Sequence, residues 1–342
     1  MGQLKAFFCV LCASTLFLGC ETDSSEFKPG YSGSYGELLV VVPQSIWDSP
    51  TGDSIFTLFN KPQFGLPQQE SPFTVIHVKS EKFSSVLTSH RNVFYVDIEK
   101  KYTGQEPTYV LQKNKWAKGQ VVVEFTAPNS SSFIELLTKD IGHITGLFAN
   151  AELNRLMLKN KKFGSKELNT QILEKQGLKL FVQKDMRVEK NKDGVLWLRL
   201  EREMPKGGYQ HQISQGILVF KQPYTSKMQF LDTNIRVTID SILKAEIPGP
   251  NVGDYMGVAD TYIRPDYRES NFKNNFAKSA VGLWEMKGNF FGGPFYELTI
   301  LHPNKQEIVY VYGYVFAPQF NKREYLREVK AVMHSITFPE PK

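Results

Sequence analysis

The sequence contains very little cysteine and no long apolar run. Its three cysteines, Cys9, Cys12 and Cys20, all lie near the N-terminus. The residues after Cys20 therefore contain no cysteine, which excludes an internal disulfide, thiol catalysis and cysteine-ligated metal sites there. No apolar run approaches the roughly 18 residues that a membrane-spanning helix requires.

Familiar catalytic motifs are also missing from the sequence. It has no Gly-x-Ser-x-Gly elbow, no His-Glu-x-x-His helix, no phosphate-binding glycine-rich loop with lysine and no dinucleotide fingerprint. The formal net charge of +6 is dispersed along the chain, which argues against a nucleic-acid footprint. The histidines are scattered without the spacing of metal ligands: His77, His90, His143, His211, His302 and His334. We therefore expect no catalytic residue set, no metal, no cofactor and no nucleic-acid partner.

The N-terminus has the three parts of a cleavable export signal. Lys5 precedes the apolar stretch Ala6–Leu18, and the small residue Gly19 stands directly before Cys20. The run Leu16-Phe17-Leu18-Gly19-Cys20 resembles a bacterial lipoprotein signal, in which the cysteine is lipid-modified. The resemblance implies a signal peptide over residues 1–19, lipidation at Cys20, and a protein anchored to a cell-envelope membrane. An outer-membrane anchor facing the periplasm or the cell surface is favoured. An ordinary secretory peptide, or a short buried helix, is the alternative.

Residues 20–36 have the composition of a flexible tether. The segment from Glu21 to Gly36 is rich in glycine and serine and contains no aliphatic residue, so it has little surface to bury. In lipoproteins of the Bacteroidota type, acidic residues after the cysteine accompany surface export. Here Glu21, Asp23 and Glu26 fit that pattern, and a plain solvated linker is the alternative.

The rest of the chain alternates strand and helix patterns. Leu38–Val42 is a continuous aliphatic run typical of a buried strand, and Ser130–Lys159 carries apolar residues at helical spacing. The alternation predicts an α+β or α/β fold with two lobes, residues 37–165 and 166–342, each a mixed or antiparallel sheet covered by helices. In the second lobe we expect a strand over Leu178–Val188 and one helix over Thr225–Leu243, and in the first a short helix over Glu81–Ser89.

The two lobes share a local echo. Gln120–Ile144 and Glu307–Ile336 each contain a strand, the dipeptide Ala-Pro and an amphipathic helix. A duplicated α/β unit would explain the echo. The alternative is that proline is a common stop between a strand and a helix.

One region combines arginine with aromatic residues. Such side chains suit stacking and hydrogen bonding to sugars or other polar ligands, and phenylalanines between glycines can form an exposed apolar tip. The alternative is a hairpin whose phenylalanines fold back into the core. The candidate ligand-binding residues are Tyr262, Arg264, Tyr267, Arg268, Trp284, Phe290 and Phe291.

As a whole the chain resembles an uncharacterised family of Bacteroidota cell-envelope lipoproteins, with a lipoprotein signal, a tether and two lobes that end in Phe-Ala-Pro-Gln and a helix. The element order of the second lobe is also similar to the α/β/α sandwich of photosystem extrinsic subunits and Ran-binding proteins, which bind proteins. We expect a non-catalytic binding or assembly role, with the membrane reached through Cys20 and an envelope protein or glycan as partner. The alternative is an envelope hydrolase acting on glycan or peptide.

Overall fold

The computed structural model describes residues 28–98, 106–192, 194–261 and 263–339. These residues form seven α-helices and thirteen strands in two sheets, which confirms the predicted α+β fold with two lobes. Among the helices of these described ranges, none has the length and apolar character to span a membrane. The predicted signal peptide and Cys20 lie outside the described residues.

The first sheet is mixed and has five strands in the order β2-β1-β3-β5-β4. All neighbours are parallel except the antiparallel pair β4 and β5. Its inner strands are buried on both faces, which explains their continuous aliphatic runs. The elements are β1 (Glu37–Val41), α1 (Gln44–Trp47), α2 (Pro50–Phe59), β2 (Thr74–Val78), α3 (Ser85–Thr88), β3 (Asn92–Ile98), β4 (Thr108–Lys113), β5 (Val121–Ala127) and α4 (Ser130–Phe163).

Helix α4 is the longest element and belongs to both lobes. Asn129 caps it by accepting a hydrogen bond from the Ser132 amide at 3.0 Å. Its 34 residues give a length of about 51 Å at 1.5 Å per residue. The N-terminal part buries Phe133 and Phe148 against the first sheet, and the helix also packs against the last helix of the second lobe.

A buried ionic network fixes α4 to β3. Glu152 has no exposed surface, and its carboxylate accepts from Arg91 Nη2 at 2.5 Å, Arg155 Nη1 at 3.0 Å and Asn92 Nδ2 at 2.7 Å. Every oxygen of this carboxylate is therefore hydrogen-bonded to a positively charged or amide group. Removing Glu152 would leave Arg91 and Arg155 buried without their shared carboxylate partner.

The second sheet is antiparallel throughout and lies between two helical layers. Helices α5 and α7 pack on one face and α6 packs on the other. The strand order is β10-β11-β12-β13-β8-β7-β6, and β9 pairs with the second half of β11. The elements are α5 (Lys166–Gln176), β6 (Arg187–Lys192), β7 (Val195–Lys206), β8 (Tyr209–Pro223), α6 (Asp232–Glu246), β9 (Tyr255–Ala259), β10 (Asp266–Phe272), β11 (Asn275–Lys287), β12 (Gly292–Leu301), β13 (Glu307–Phe316) and α7 (Arg323–His334).

Three predicted elements differ from the structure. The strand predicted over Leu178–Val188 is not formed in residues 178–186. These residues alternate buried and exposed side chains, but they form only one bridge, Lys179 to Thr337, and pair with no neighbouring strand. The helix predicted over Thr225–Leu243 is divided, because Leu231 is extended between a 3-10 turn at Lys227–Phe230 and α6. The helix predicted over Glu81–Ser89 is a 3-10 turn followed by α3.

The second half of the predicted tether is part of the first lobe. Gly30 forms a bridge with Lys118, and the Arg91 guanidinium lies 5.0 Å from the Tyr31 ring and 4.8 Å from the Tyr35 ring. The segment lacks aliphatic side chains, yet its two tyrosines give it contact surface. Residues 30–35 of the predicted tether therefore contact the first lobe, and residues 20–27 of it lie outside the described residues.

The strand, Ala-Pro and helix echo is local. It corresponds to β5 leading into α4 and to β13 leading into α7. β5 lies between a parallel and an antiparallel neighbour, whereas β13 has two antiparallel neighbours. The two sheets also differ in strand order, which favours the alternative that proline is a common stop.

Candidate functional site

The predicted ligand-binding residues separate into two groups in the fold. Trp284 lies near the end of β11, and Phe290 and Phe291 follow in the turn to β12. Tyr267 pairs with Ala280, at the opposite part of β11, seven residues before Lys287. At about 3.3 Å per residue, Ala280 lies roughly 13 Å from Trp284 and roughly 23 Å from Lys287, which precedes the turn with Phe290 and Phe291, so the turn is remote from Tyr267.

The group around β10 does not form a cleft. Tyr267 is half-buried against the core under α6, and burial together with the Glu297 carboxylate raises the pKa of its hydroxyl. Arg268 is exposed and pairs with Asp266, with Nη2 and Oδ2 separated by 2.6 Å. Arg264 is exposed, and Tyr262 lies outside the described residues. Tyr267 is therefore a core residue, and the arginines are surface residues.

The group in the β11–β12 turn forms an apolar tip. Phe290 is fully exposed, whereas Phe291 is 41% exposed and packs edge-on against Phe316 with a ring distance of 5.4 Å. Trp284 is buried and donates from Nε1 to the Val315 carbonyl at 3.1 Å. Folding of both phenylalanines into the core is therefore wrong, and only Trp284 belongs to the core.

Beside this tip the sheet has an open aromatic cleft of about 180 Å³. Helix α6 ends at Glu246, and the cleft opens beyond it, next to Ile247 and Pro248, where the helix no longer covers the sheet. We call this the aromatic cleft. It is lined by Trp197, Arg199, Glu201, Gln212, Ser214, Ile247, Pro248, Met256, Trp284, Met286, Phe291, Tyr314 and Phe316.

The floor of the aromatic cleft is held rigidly. The Trp197 Nε1 donates to the Tyr314 hydroxyl at 3.2 Å. The Tyr314 ring occupies the space above Gly216, where a Cβ atom would lie 2.1 Å from the ring. A larger residue than glycine at this position would displace the tyrosine and change the floor.

The rim of the aromatic cleft carries charged groups and two exposed apolar tips. Arg199 Nη2 lies 2.9 Å from Glu201 Oε1, and the guanidinium lies 5.7 Å from the Trp197 ring. Val252 and Phe290 are both fully exposed, in neighbouring loops. The loops are in contact, since a Cβ atom on Gly288 would lie 2.2 Å from an Asp254 oxygen.

Sequence reasoning identified two lining residues, Trp284 and Phe291, and missed the other aromatic ones. Trp197 comes from β7, and Tyr314 and Phe316 come from β13; these strands are distant in the chain but only β8 separates them in the sheet. The signal that could have found them is the alternation of Trp197, Arg199 and Glu201 on one strand face. In the described ranges, no three His, Cys, Asp or Glu side chains are grouped so that they could hold a metal ion.

Comparison with protein families divides the chain into two regions. Residues 165–335, half of the chain, match a domain of unknown function (DUF4837). The chain belongs to the DUF4837 family. Residues 32–161 match a second domain of unknown function (DUF8532). No curated protein matches the chain. The DUF4837 region contains the second sheet and the whole aromatic cleft, and the expected relation to an uncharacterised family agrees with both matches.

Proposed function

We propose that this chain is a lipid-anchored cell-envelope protein with a non-catalytic binding or assembly role, and that the aromatic cleft docks a segment of another envelope protein. The observation that carries the proposal is the cleft with its fully exposed tip, Phe290. Aromatic residues, methionine and arginine are enriched at the centres of protein interfaces, and this lining has that composition.

The accessible part of the cleft favours an apolar side chain over a sugar. Trp197, Trp284 and Tyr314 form the floor and are only 6%, 3% and 4% exposed. The exposed aromatic ring of the lining is that of Phe291, and Phe290 stands fully exposed beside it in the same turn; neither ring has a hydrogen-bonding group. Anchor residues of protein partners fill such pockets and contribute most of the binding energy. The experiment must therefore distinguish a protein partner from a glycan ligand.

The proposed location rests on the lipoprotein signal at Cys20. Each buried methylene of an acyl chain contributes about 0.8 kcal/mol, and stable anchoring requires at least two such signals, which a multiply acylated cysteine supplies. We place the protein in a Bacteroidota-type envelope, with an outer-membrane anchor and the lobes facing the periplasm or the cell surface. The acidic residues after Cys20 support this placement.

The test uses a photo-crosslinking residue at position 290 in the full-length protein in its native envelope. The matched control is position 86, because Val86 is also exposed, at 77%, but lies in the first lobe. We expect one discrete protein adduct from position 290 and none from position 86. The identified partner, once purified, should bind at least tenfold more weakly when Phe290→Ala and Phe291→Ala are combined, and equally well with Val86→Ala.

Two other results would redirect the assignment. A purified envelope glycan that competes for the cleft, without any protein adduct at position 290, would replace the protein partner with a sugar. Release of products when glycan or peptide is incubated with the purified protein would favour the envelope hydrolase.

A further inference from the structure

A second cleft, of about 210 Å³, lies where the two lobes meet. Helix α4 and the loop of residues 60–73 form the wall of the first lobe, and α7 forms the wall of the second. Its walls are largely apolar, with Leu66, Leu153 and Leu326 among the lining residues. We call it the inter-lobe cleft. It is separate from the aromatic cleft and shares no lining residue with it.

The cationic side of the inter-lobe cleft belongs to α7. Arg323 and Arg327 share one carboxylate, Glu324, at 2.7 Å and 2.5 Å. Both also donate to carbonyls of the first lobe, Arg323 to Ser71 at 2.9 Å and Arg327 to Pro72 at 2.8 Å. These two guanidinium groups are therefore occupied in holding the lobes together.

The third cation, Lys330, is different. No carboxylate among the described residues pairs with it, and its ammonium group lies 4.6 Å from the centre of the Tyr296 ring. Burial, and then the charge of Arg327, lower the pKa of Lys330 to about 8. At pH 7 the cleft therefore holds an ammonium without a counter-charge, and such a group is costly unless an anion accompanies it.

A neutral polar pair lies next to this ammonium. His334 Nε2 is 3.0 Å from the Tyr296 hydroxyl, and the two rings are stacked. Burial, with the charges of Lys330 and Lys273, lowers the pKa of His334 to about 4. His334 is therefore uncharged at neutral pH and offers hydrogen bonding without a second charge.

We propose that the inter-lobe cleft binds a small organic carboxylate, with its carboxylate at Lys330 and its apolar body against Leu66, Leu153 and Leu326. The ammonium requires one negative charge, and the apolar walls favour an organic acid over an inorganic ion. A phosphate dianion would need further charged donors, but those of Arg323 and Arg327 are already engaged. This inference does not depend on the proposed function of the aromatic cleft.

Binding should depend on pH through Lys330. An anion beside the ammonium favours its charged form, so affinity is highest below pH 8 and falls as the free protein loses this proton. His334 is neutral in this range, and the other titratable or charged groups that face the ammonium are Arg323, Arg327, Lys273, Tyr296 and Glu324. From α4 and the loop of residues 60–73 the lining is uncharged: Gln63, Leu66, Pro72, Ala149, Asn150 and Leu153.

The experiment measures binding of four probes to the full chain by calorimetry at pH 7: hexanoate, acetate, hexanol and inorganic phosphate. We expect hexanoate to bind, to raise the melting temperature, and to bind at least tenfold more tightly than any other probe. Lys330→Met should lose this binding at least tenfold while melting at or above the wild-type temperature, because the uncompensated charge is gone. Lys175→Met, on the exposed surface of α5, is the matched control and should bind as wild type does.

A second variant keeps the test decisive if Lys330→Met does not fold. Ala149→Phe enters the cleft from α4, keeps Lys330, and should also abolish hexanoate binding. Three results would overturn the proposal: no binding of hexanoate to the wild type, unchanged binding in both variants, or phosphate binding as tight as that of hexanoate.

Discussion

The buried acid Glu297 should make the second lobe less stable as the pH rises from 5 to 8. It is only 1% exposed and lies in β12 on the face covered by α6. The Thr299 hydroxyl donates to one of its oxygens, and the other oxygen has no hydrogen-bond partner among the described residues. Burial raises the pKa of Glu297 from 4.5 to about 8, so the folded protein keeps it protonated at neutral pH.

The size of this pKa shift determines how much the free energy of unfolding changes with pH. Below pH 4.5 the acid is protonated in the folded and the unfolded chain, and it has no linkage effect. Between pH 4.5 and 8 only the unfolded chain releases the proton, so the free energy of unfolding falls by about 1.4 kcal/mol per pH unit. From pH 5 to pH 8 this amounts to roughly 3–4 kcal/mol.

The perturbation is Glu297→Gln, which keeps the shape and removes the titration. Urea unfolding of the wild type and the variant at pH 5 and pH 8 measures the difference. We expect the variant to gain roughly 3–4 kcal/mol relative to the wild type between the two pH values. Glu269→Gln, at an exposed position of β10, is the control and should parallel the wild type. Parallel pH profiles for Glu297→Gln and the wild type would refute the buried neutral acid.

Three further results are expected. Cys20→Ala should release the protein from membranes, and sedimentation with membranes after a high-salt wash would contradict the lipid anchor. A chain that begins at Glu37 should be about 1–2 kcal/mol less stable to urea than one that begins at Lys28, because it lacks two tyrosines that contact Arg91. Glu152→Ala should lower the free energy of unfolding by about 3–5 kcal/mol, whereas a loss below 1 kcal/mol would show that water replaces its hydrogen bonds.

Local patterns in the sequence were sufficient where one physical effect dominates. The aliphatic run at Leu38–Val42 predicted β1 because a strand buried on both faces has no polar side. Gly177 ends α5 in the left-handed conformation, with φ of 64°, and glycine is the residue most often found at this position after a helix. The apolar spacing after Ser130 predicted α4, which continues about one turn beyond the expected end.

Features that depend on contacts between distant segments could not be predicted from local sequence patterns. Residues 178–186 alternate like a strand, but strand formation needs a neighbouring strand to pair with. The aromatic cleft requires the order of β7, β8, β13, β12 and β11 in the sheet, which no local pattern contains. The inter-lobe cleft left one signal, since Arg323, Arg327, Lys330 and His334 recur at helical spacing along α7.

The contacts of residues 28–36 with the first lobe shorten the segment that can separate a lipid anchor at Cys20 from the folded protein. If Cys20 carries the lipid, seven residues lie between the anchor and Lys28, and the eight Cα–Cα steps reach about 28 Å when fully extended. A tether that remained free up to Glu37 would reach about twice as far. The first lobe must then stay close to the lipid headgroups, with the surface around Lys28 and Asn114 near the point of attachment. With such an anchor, a partner that binds the second lobe would have to come close to the same membrane, because the short segment keeps the protein near it.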